Sequence, residues 1–382
     1  MSLVVWLGAN TIAWPQGGGN IWAYLNWALG FRSLGCEVVW LEGLDSTTSA
    51  SELRTLAPML KAKLERYGLG DSIALYNGTG DPSPGDFLAG FKTIEEAEDA
   101  DLLVNMSYVL PNELRPLFRR TALLDIDPGL TQIWMSEDAM SVPCHHLYFT
   151  IGEGVNRRFG TNGLTWLYTP PCVALDWWSA APVNGDASFT TVSNWQNSDW
   201  VTYLDQSYRN TKRAGFLPFL DLPQQTSESL ELALCLEADE GLRLPKYDQA
   251  ERASLRARGW GVVHSYEVAS TPWDYQSYIQ RSKGEFSAAK PSCAKLQTGW
   301  VSDRTICYLA SGKPAVIQDS GPTRVLPHGQ GVFRFRTLEE AADCLDAVVA
   351  DYPRQCALAR QVAEEHFAPK KTCKLLLERA LS

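Results

Sequence analysis

Residues 299–321 read GWVSDRTICYLASGKPAVIQDSG. The pattern predicts a loop, a helix over Thr305–Ala310 opening near Ser302, a glycine turn at Gly312, and a buried strand over Pro314–Gln318. The first turn of such a helix offers unpaired backbone N–H groups and the positive end of the helix dipole, which together suit a phosphate. Asp303 is placed to accept hydrogen bonds from ribose hydroxyls and Arg304 to pair with phosphate. The competing reading is an ordinary helix capped by Ser302 and Asp303.

Strand and helix patterns alternate on both sides of this segment. In the C-terminal half, Phe189–Ser193 and Gly261–His264 predict strands, Ser227–Leu236 and Trp273–Ser282 predict helices, and the chain from Leu338 onward is helical in pattern. In the N-terminal half, Leu3–Leu7 predicts a strand, followed by a Gly17-Gly18-Gly19 loop. A helix over Ile21–Leu34 comes next, with Asn20 as N-cap and Gly35 as its stop, and then a second strand at Val38–Leu41. This is a βαβ unit, the start of a parallel sheet. Further strands are expected at Asp101–Asn105, Thr121–Ile126 and Leu147–Ile151, with helices at Ser51–Tyr67, Ile94–Ala100 and Asn112–Phe118. Between the halves, Leu175–Asp186 lacks periodicity and contains Pro182, Asn184 and Gly185, so it reads as a linker.

The expected organisation is a Rossmann-like domain over residues 1–176, a linker at 177–188, a second Rossmann-like domain over 189–362, and a C-terminal helix at 363–382 packing back on the first domain. The fold class is α/β, with two facing Rossmann-like domains, a cleft between them and a helical tail. Ligands of open parallel sheets sit at the carboxyl ends of the strands.

Bulk properties fit this picture. A length of 382 residues suits two domains, and 45% hydrophobic with 20% charged residues is ordinary for globular protein. A net charge of -10 argues against nucleic acid or an anionic membrane as partner. MSLVVWLGAN has no basic region followed by a long apolar core, and no stretch reaches the ~18 apolar residues of a transmembrane segment. The nine cysteines form no Cys-x-x-Cys pair and read as free thiols in a reducing cytoplasm. Fourteen tryptophans lend weak support to sugar handling.

The turn Ala310-Ser-Gly312-Lys-Pro314-Ala-Val-Ile317 resembles the nucleotide-sugar signature of GT-B glycosyltransferases (glycosyltransferase family 1 / group 1-like). The following segment, residues 326–367, is similar to that family's C-terminal half, and the Gly17–Gly19 loop with the Ile21 helix to its opening unit. The resemblance implies a metal-independent glycosyltransferase with no permanently bound cofactor. Its co-substrate would be a nucleoside diphosphate sugar, UDP first, with GDP or dTDP as the other candidates. The acceptor would be a small molecule, a glycan or a protein.

By the same resemblance, Gly17, Gly18 and Gly19 lie near the donor phosphates or acceptor, free to take positive φ. Asn194 and Gln196 face the phosphates or donor sugar, Ser287 and Lys290 reach the diphosphate beside Ser302, Asp303 and Arg304, and Gln318 and Asp319 hold sugar hydroxyls. Trp260–Tyr266 is where the family holds the base. Asp127, at the end of a strand, is the first candidate for a general base, with His145, His146 and Glu153 as alternatives. His145, His146 and Cys144 lack further ligands at metal-binding spacing.

The chain also departs from the family. Many retaining members carry two glutamates at positions that are Gly299 and Cys307 here, so the stereochemical outcome stays open. A degenerate scaffold that binds a partner and a sugar-nucleotide epimerase are therefore alternatives. A dinucleotide enzyme is a third, prompted by Glu42 at the end of the second strand, but Trp22 stands where its third glycine belongs.

Overall fold

A computed structural model describes residues 2–44, 48–77, 90–108, 110–137, 140, 144–159, 163–182, 186–196, 200–236 and 246–382. The chain divides into two compact units, Met1–Ala174 with Ala368–Ser382, and Leu175–Phe367.

The first unit is built on β1 (Val4–Ala9), β2 (Glu37–Leu44), β3 (Ile73–Asn77), β4 (Leu102–Asn105), β5 (Thr121–Asp125), β6 (Leu147–Thr150) and β7 (Trp166–Tyr168). Their order is β3-β2-β1-β4-β5-β6-β7, and every neighbouring pair is parallel. All carboxyl ends therefore share one edge, and the strand order reverses between β1 and β4. Helix α1 (Gly18–Ser33) connects β1 to β2, and α2 (Ala50–Glu65) connects β2 to β3. Helices α3 (Leu130–Ser136) and α4 (Val155–Arg158) follow β5 and β6.

Ser49 and Glu52 form a capping box that starts α2. Helix α1 begins earlier than the sequence suggests. Gly17 is its N-cap, while the Asn20 side chain donates to the Asn10 carbonyl at 3.1 Å. Gly17 has φ −95°, and none of the three glycines takes the positive φ expected of them. The Ile94 and Arg115 regions form 3₁₀ turns, Ile94–Asp99 and Arg115–Leu117, in place of α-helices.

The Glu42 side chain is fully buried at the end of β2. It accepts from the Thr11 and Ile12 amides, the Thr11 hydroxyl and Trp40 Nε1. Its carboxylate fastens the loop after β1 and has no capacity left for a ribose, which removes the basis of the dinucleotide reading.

The second unit contains β8 (Phe189–Asn194), a hairpin of β9 (Trp200–Tyr203) and β10 (Gln206–Arg209), then β11 (Leu230–Cys235), β12 (Gly261–His264), β13 (Gly284–Ser287), β14 (Ala315–Gln318) and β15 (Val332–Phe335). The main sheet runs β12-β11-β8-β13-β14-β15, again parallel throughout. The helices are α5 (Lys212–Phe216), α6 (Lys246–Ala257), α7 (Ser265–Ala269), α8 (Pro272–Arg281), α9 (Pro291–Leu296), α10 (Asp303–Ala310), α11 (Leu338–Ala350) and α12 (Tyr352–Val362).

Two expectations are corrected in this unit. Ser227–Leu236 is not a helix, because β11 occupies Leu230–Cys235. Leu230, Leu232 and Leu234 recur every second residue and are buried in the core, so a period of two overrides the helix propensity of Leu, Glu and Ala. The segment read as a linker is not a free strap either. Trp178 is buried against Tyr275, Gln276 donates to the Trp177 carbonyl, and the Ala181 amide donates to the Ser311 carbonyl at 3.1 Å. Residues 183–185 of that segment lie outside the described residues.

The tail helix α13 (Cys373–Leu381) belongs to the first unit. Arg120 donates to the carbonyls of Ala380 and Ser382, both at 2.9 Å. The Cys172 and Cys373 sulfurs lie 3.5 Å apart over Gly30 of α1. A methyl group on Gly30 would come within 2.7 Å and 2.8 Å of those sulfurs. Gly30→Ala is therefore expected to destabilise this unit by about 1–3 kcal/mol, measured by urea unfolding.

Candidate functional site

In the second unit, a pocket opens at the carboxyl ends of β13 and β14, beside the start of α10. Ser287, Ala289, Trp300, Ser302, Arg304, Thr305, Ile317, Gln318 and Ser320 line it. Ser302 is the N-cap of α10, its hydroxyl accepting from the Arg304 amide at 3.2 Å. The half-buried Asp303 carboxyl occupies the first turn, where burial raises its pKa.

Arg304 does not reach outward as the sequence suggests. Its Nε donates to Glu285 Oε1 at 2.8 Å, one Nη to the Val192 carbonyl at 3.0 Å, and the other to Ser287 Oγ at 2.6 Å. Both partners of the ion pair are buried. The guanidinium is thus a fixed positive charge in the pocket wall, already committed to three acceptors, and not a free fork for phosphate.

A second cation, missed by the sequence reading, lies behind the pocket wall. Lys212, the first residue of α5, is buried; its Nζ donates to the Ala288 carbonyl at 2.8 Å and lies 6.0 Å from the centre of the Trp300 ring. Burial, reinforced by the nearby Arg304 charge, pulls its pKa down to about 7. Gly215 makes this approach possible. A methyl group there would meet the Ala289 carbonyl oxygen at 2.0 Å, so only glycine lets α5 lie against the 288–290 loop. The sequence signal was the Thr211-Lys212-Arg213-Ala-Gly215 run, a threonine-capped helix start with a glycine three residues after the lysine.

Lys290 is the half-buried N-cap of α9 and close enough to add to the field at Lys212. Among the described residues, neither Lys212 nor Lys290 has a carboxylate ion-pair partner. The helix start and the buried guanidinium line the pocket, and the two lysines add positive potential from behind its 288–290 wall.

The remaining candidates of this unit divide. The Gln318 side-chain oxygen accepts from the Ala289 amide at 2.9 Å, fixing the 288–290 loop and leaving its NH₂ end for a ligand. Asp319 is committed elsewhere. It binds the Gly321 amide at 3.0 Å, Arg334 at 3.3 Å and Arg336 at 2.6 Å. Although burial opposes it, these partners hold its carboxyl below the usual range. Asp319 braces the loop after β14. Asn194 is exposed at the end of β8, and Gln196 is half-buried two residues further on. Trp195 between them is core, its ring 5.4 Å from that of Phe216 and tilted by 49°.

In the first unit, Gly17–Gly19, Asp127 and Glu153 all follow the carboxyl ends of strands, of β1, β5 and β6 respectively. The loops of Asp127 and Glu153 touch, since a methyl group on Gly152 would lie 2.4 Å from the Pro128 side chain. Asp125 is buried and accepts from Tyr108, Thr131, Gln132 and Thr150, which makes it the support of the Asp127 turn. His145 is displaced from this group. It precedes β6, at the strand's other end from Glu153, and is buried with Nε2 3.3 Å from Asn105 Nδ2. Burial beside Asn105 makes it a packing residue.

The strand orders, the two parallel sheets and the returning tail define a GT-B fold. No family model matches the sequence, and no curated protein matches it. Solved structures do match the fold. An α-glucosyltransferase in complex with UDP and a 13-mer DNA has a TM-score of 0.64 at 11% identity, over 100% of both chains. HepE from Anabaena, in complex with UDP-glucose, gives 0.60 at 12% identity over 99% of both chains. Sucrose-phosphate synthase from Thermosynechococcus elongatus gives 0.56 at 9% identity, over 99% of this chain and 98% of that one. No helix among the described residues is long and apolar enough to cross a membrane.

Proposed function

We propose that the protein transfers a sugar from a nucleoside diphosphate sugar, UDP first, to a hydroxyl acceptor without a bound metal. The observation that carries this is a pocket walled by Arg304 and the Ser302 turn of α10, with Lys212 behind its wall at the Ala288 carbonyl and Lys290 next to its lining residue Ala289. In this reading the diphosphate lies against Lys212, Lys290 and the Ser302 turn, and Arg304 adds positive potential from beneath. These cations stabilise the charge that develops on the departing diphosphate. Asp303 accepts from ribose hydroxyls and Gln318 donates to the donor sugar. Asp127 or Glu153 takes the acceptor proton. The neighbouring structures in complex with UDP or UDP-glucose support the donor class. The DNA in one of them belongs to that protein, and the net charge of -10 here disfavours such an acceptor.

The test is a thermal-shift panel with UDP, GDP, dTDP and NAD. A ligand at about a hundred times its dissociation constant adds roughly 2.7 kcal/mol of stability. UDP is expected to shift wild type, with Lys290→Ala and Asp303→Ala each weakening its binding by roughly ten- to a hundredfold. Variants that bind UDP as tightly as wild type would remove this pocket from the mechanism. A shift with NAD alone would remove the glycosyl-transfer reading.

A further inference from the structure

We propose that the β9–β10 hairpin is a sugar-binding platform, on which Trp200 stacks against a pyranose ring of a neutral glycan. That this glycan is the acceptor rests on the glycosyl-transfer reading; the platform itself rests on the hairpin alone.

The hairpin is no part of the main sheet. It leaves after the carboxyl end of β8 and returns three residues before Lys212. Its register pairs Trp200 with Arg209, Val201 with Tyr208 and Thr202 with Ser207. Side chains alternate between the faces of a strand, so Trp200, Thr202, Ser207 and Arg209 share one face. Trp200 is 61% exposed. The Arg209 guanidinium lies 5.9 Å from the centre of its ring, and the Thr202 and Ser207 hydroxyls are 2.7 Å apart beside it. The opposite face is anchored. Val201 is 2% exposed, and the Tyr208 ring sits under Lys295 Nζ at 4.1 Å. The ribbon therefore presents its outer face on a supported backbone, which lowers the entropy lost on binding.

The chemistry of that face selects the occupant. A pyranose has an apolar C–H face that fits an indole and a rim of hydroxyls that pair with guanidinium and hydroxyl groups. A nucleic acid strand needs a row of cations, whereas among the paired residues of this face Arg209 alone is charged, on an acidic chain. A protein partner needs a wider apolar core than Trp200 and the exposed Leu204 of the turn, with polar groups beside them.

The experiment is affinity electrophoresis of the full chain in native gels containing soluble starch, dextran, hydroxyethyl cellulose, xylan or galactomannan. At least one polymer is expected to retard wild type. Trp200→Ala should weaken that interaction by roughly tenfold or more, and Trp200→Tyr should restore most of it. The UDP thermal shift should be the same in all three proteins. Absence of retardation by every polymer, or equal retardation of Trp200→Ala, overturns the platform. So does Trp200-dependent binding of oligothymidylate, or a Trp200-dependent dimer in sedimentation, in place of glycan binding. Retardation without a UDP shift would keep the platform and sink glycosyl transfer.

Discussion

Lys212→Met protein is expected to lose the UDP-dependent gain in stability and, without ligand, to melt at a higher temperature than wild type. Both effects follow from one buried amine. The folded pKa is about 7, against roughly 10.4 in the unfolded chain. Between those values the unfolded state carries more protons than the folded one, so stability rises with pH across that window. Below pH 7 the folded protein must hold a buried cation, and its contribution to stability is at its lowest. Methionine has a similar shape and no charge to desolvate, so the slope should vanish.

UDP binding should run the other way. A diphosphate beside Lys212 favours the ammonium form, so binding takes up a proton once the pH exceeds 7. The dissociation constant should rise with pH between 7 and 9, by up to about tenfold per unit. Beside burial, the charges that set this balance are Arg304 and Lys290, which lower the Lys212 pKa, and Glu285, which raises it. In Lys212→Met, UDP affinity should fall by about a hundredfold and the pH dependence should flatten. Calorimetric titration in two buffers of different ionisation enthalpy measures the proton directly. Equal proton uptake in wild type and variant would remove Lys212 from the site.

Arg304→Met is expected to cost about 3–5 kcal/mol in urea unfolding, a loss of stability before any loss of binding. Glu285 is fully buried, and its Oε1 is held by Arg304 at 2.8 Å while Oε2 has no partner. Without the guanidinium, a carboxylate stays in the core with nothing to neutralise it. The Val192 carbonyl and the Ser287 hydroxyl lose their donors as well. Replacing both members, Glu285→Met with Arg304→Met, should recover much of the loss, because the isolated charge is what costs most. Arg304→Lys should recover little, since an ammonium cannot span three acceptors in one plane. If Arg304→Met unfolded like wild type and lost only UDP binding, the guanidinium would be a direct ligand after all.

The contrast between these two cations shows where sequence reading works. Arg304 was legible as part of a helix start because Ser302 capping is local, a bond spanning two residues. Its role was not legible, because Glu285 lies on another strand and the pairing exists only once β13 and α10 pack together. The threonine-capped start around Lys212 marks a helix and not a site. The importance of Lys212 depends on Gly215 meeting the Ala289 carbonyl, a contact across 74 positions of chain. Glu42 and Asp319 show the same limit for acids. Each sits at a strand end where a ligand would lie, yet each is consumed by amides, hydroxyls or arginines that only the fold delivers.

Local periodicity and turn chemistry were enough for the two α/β halves, the α10 start, the glycine turn at Gly312 and most strands of the first sheet, because these depend on residues within a few positions of one another. Where periods conflict with propensity, as at Leu230–Cys235, burial in a parallel sheet decided the outcome. The hairpin at Trp200–Arg209, the seat of α13 against Arg120 and Gly30, and the protonation state of Lys212 were decided by tertiary structure alone. Each depends on which distant surface a segment is pressed against, and on how much water that contact removes.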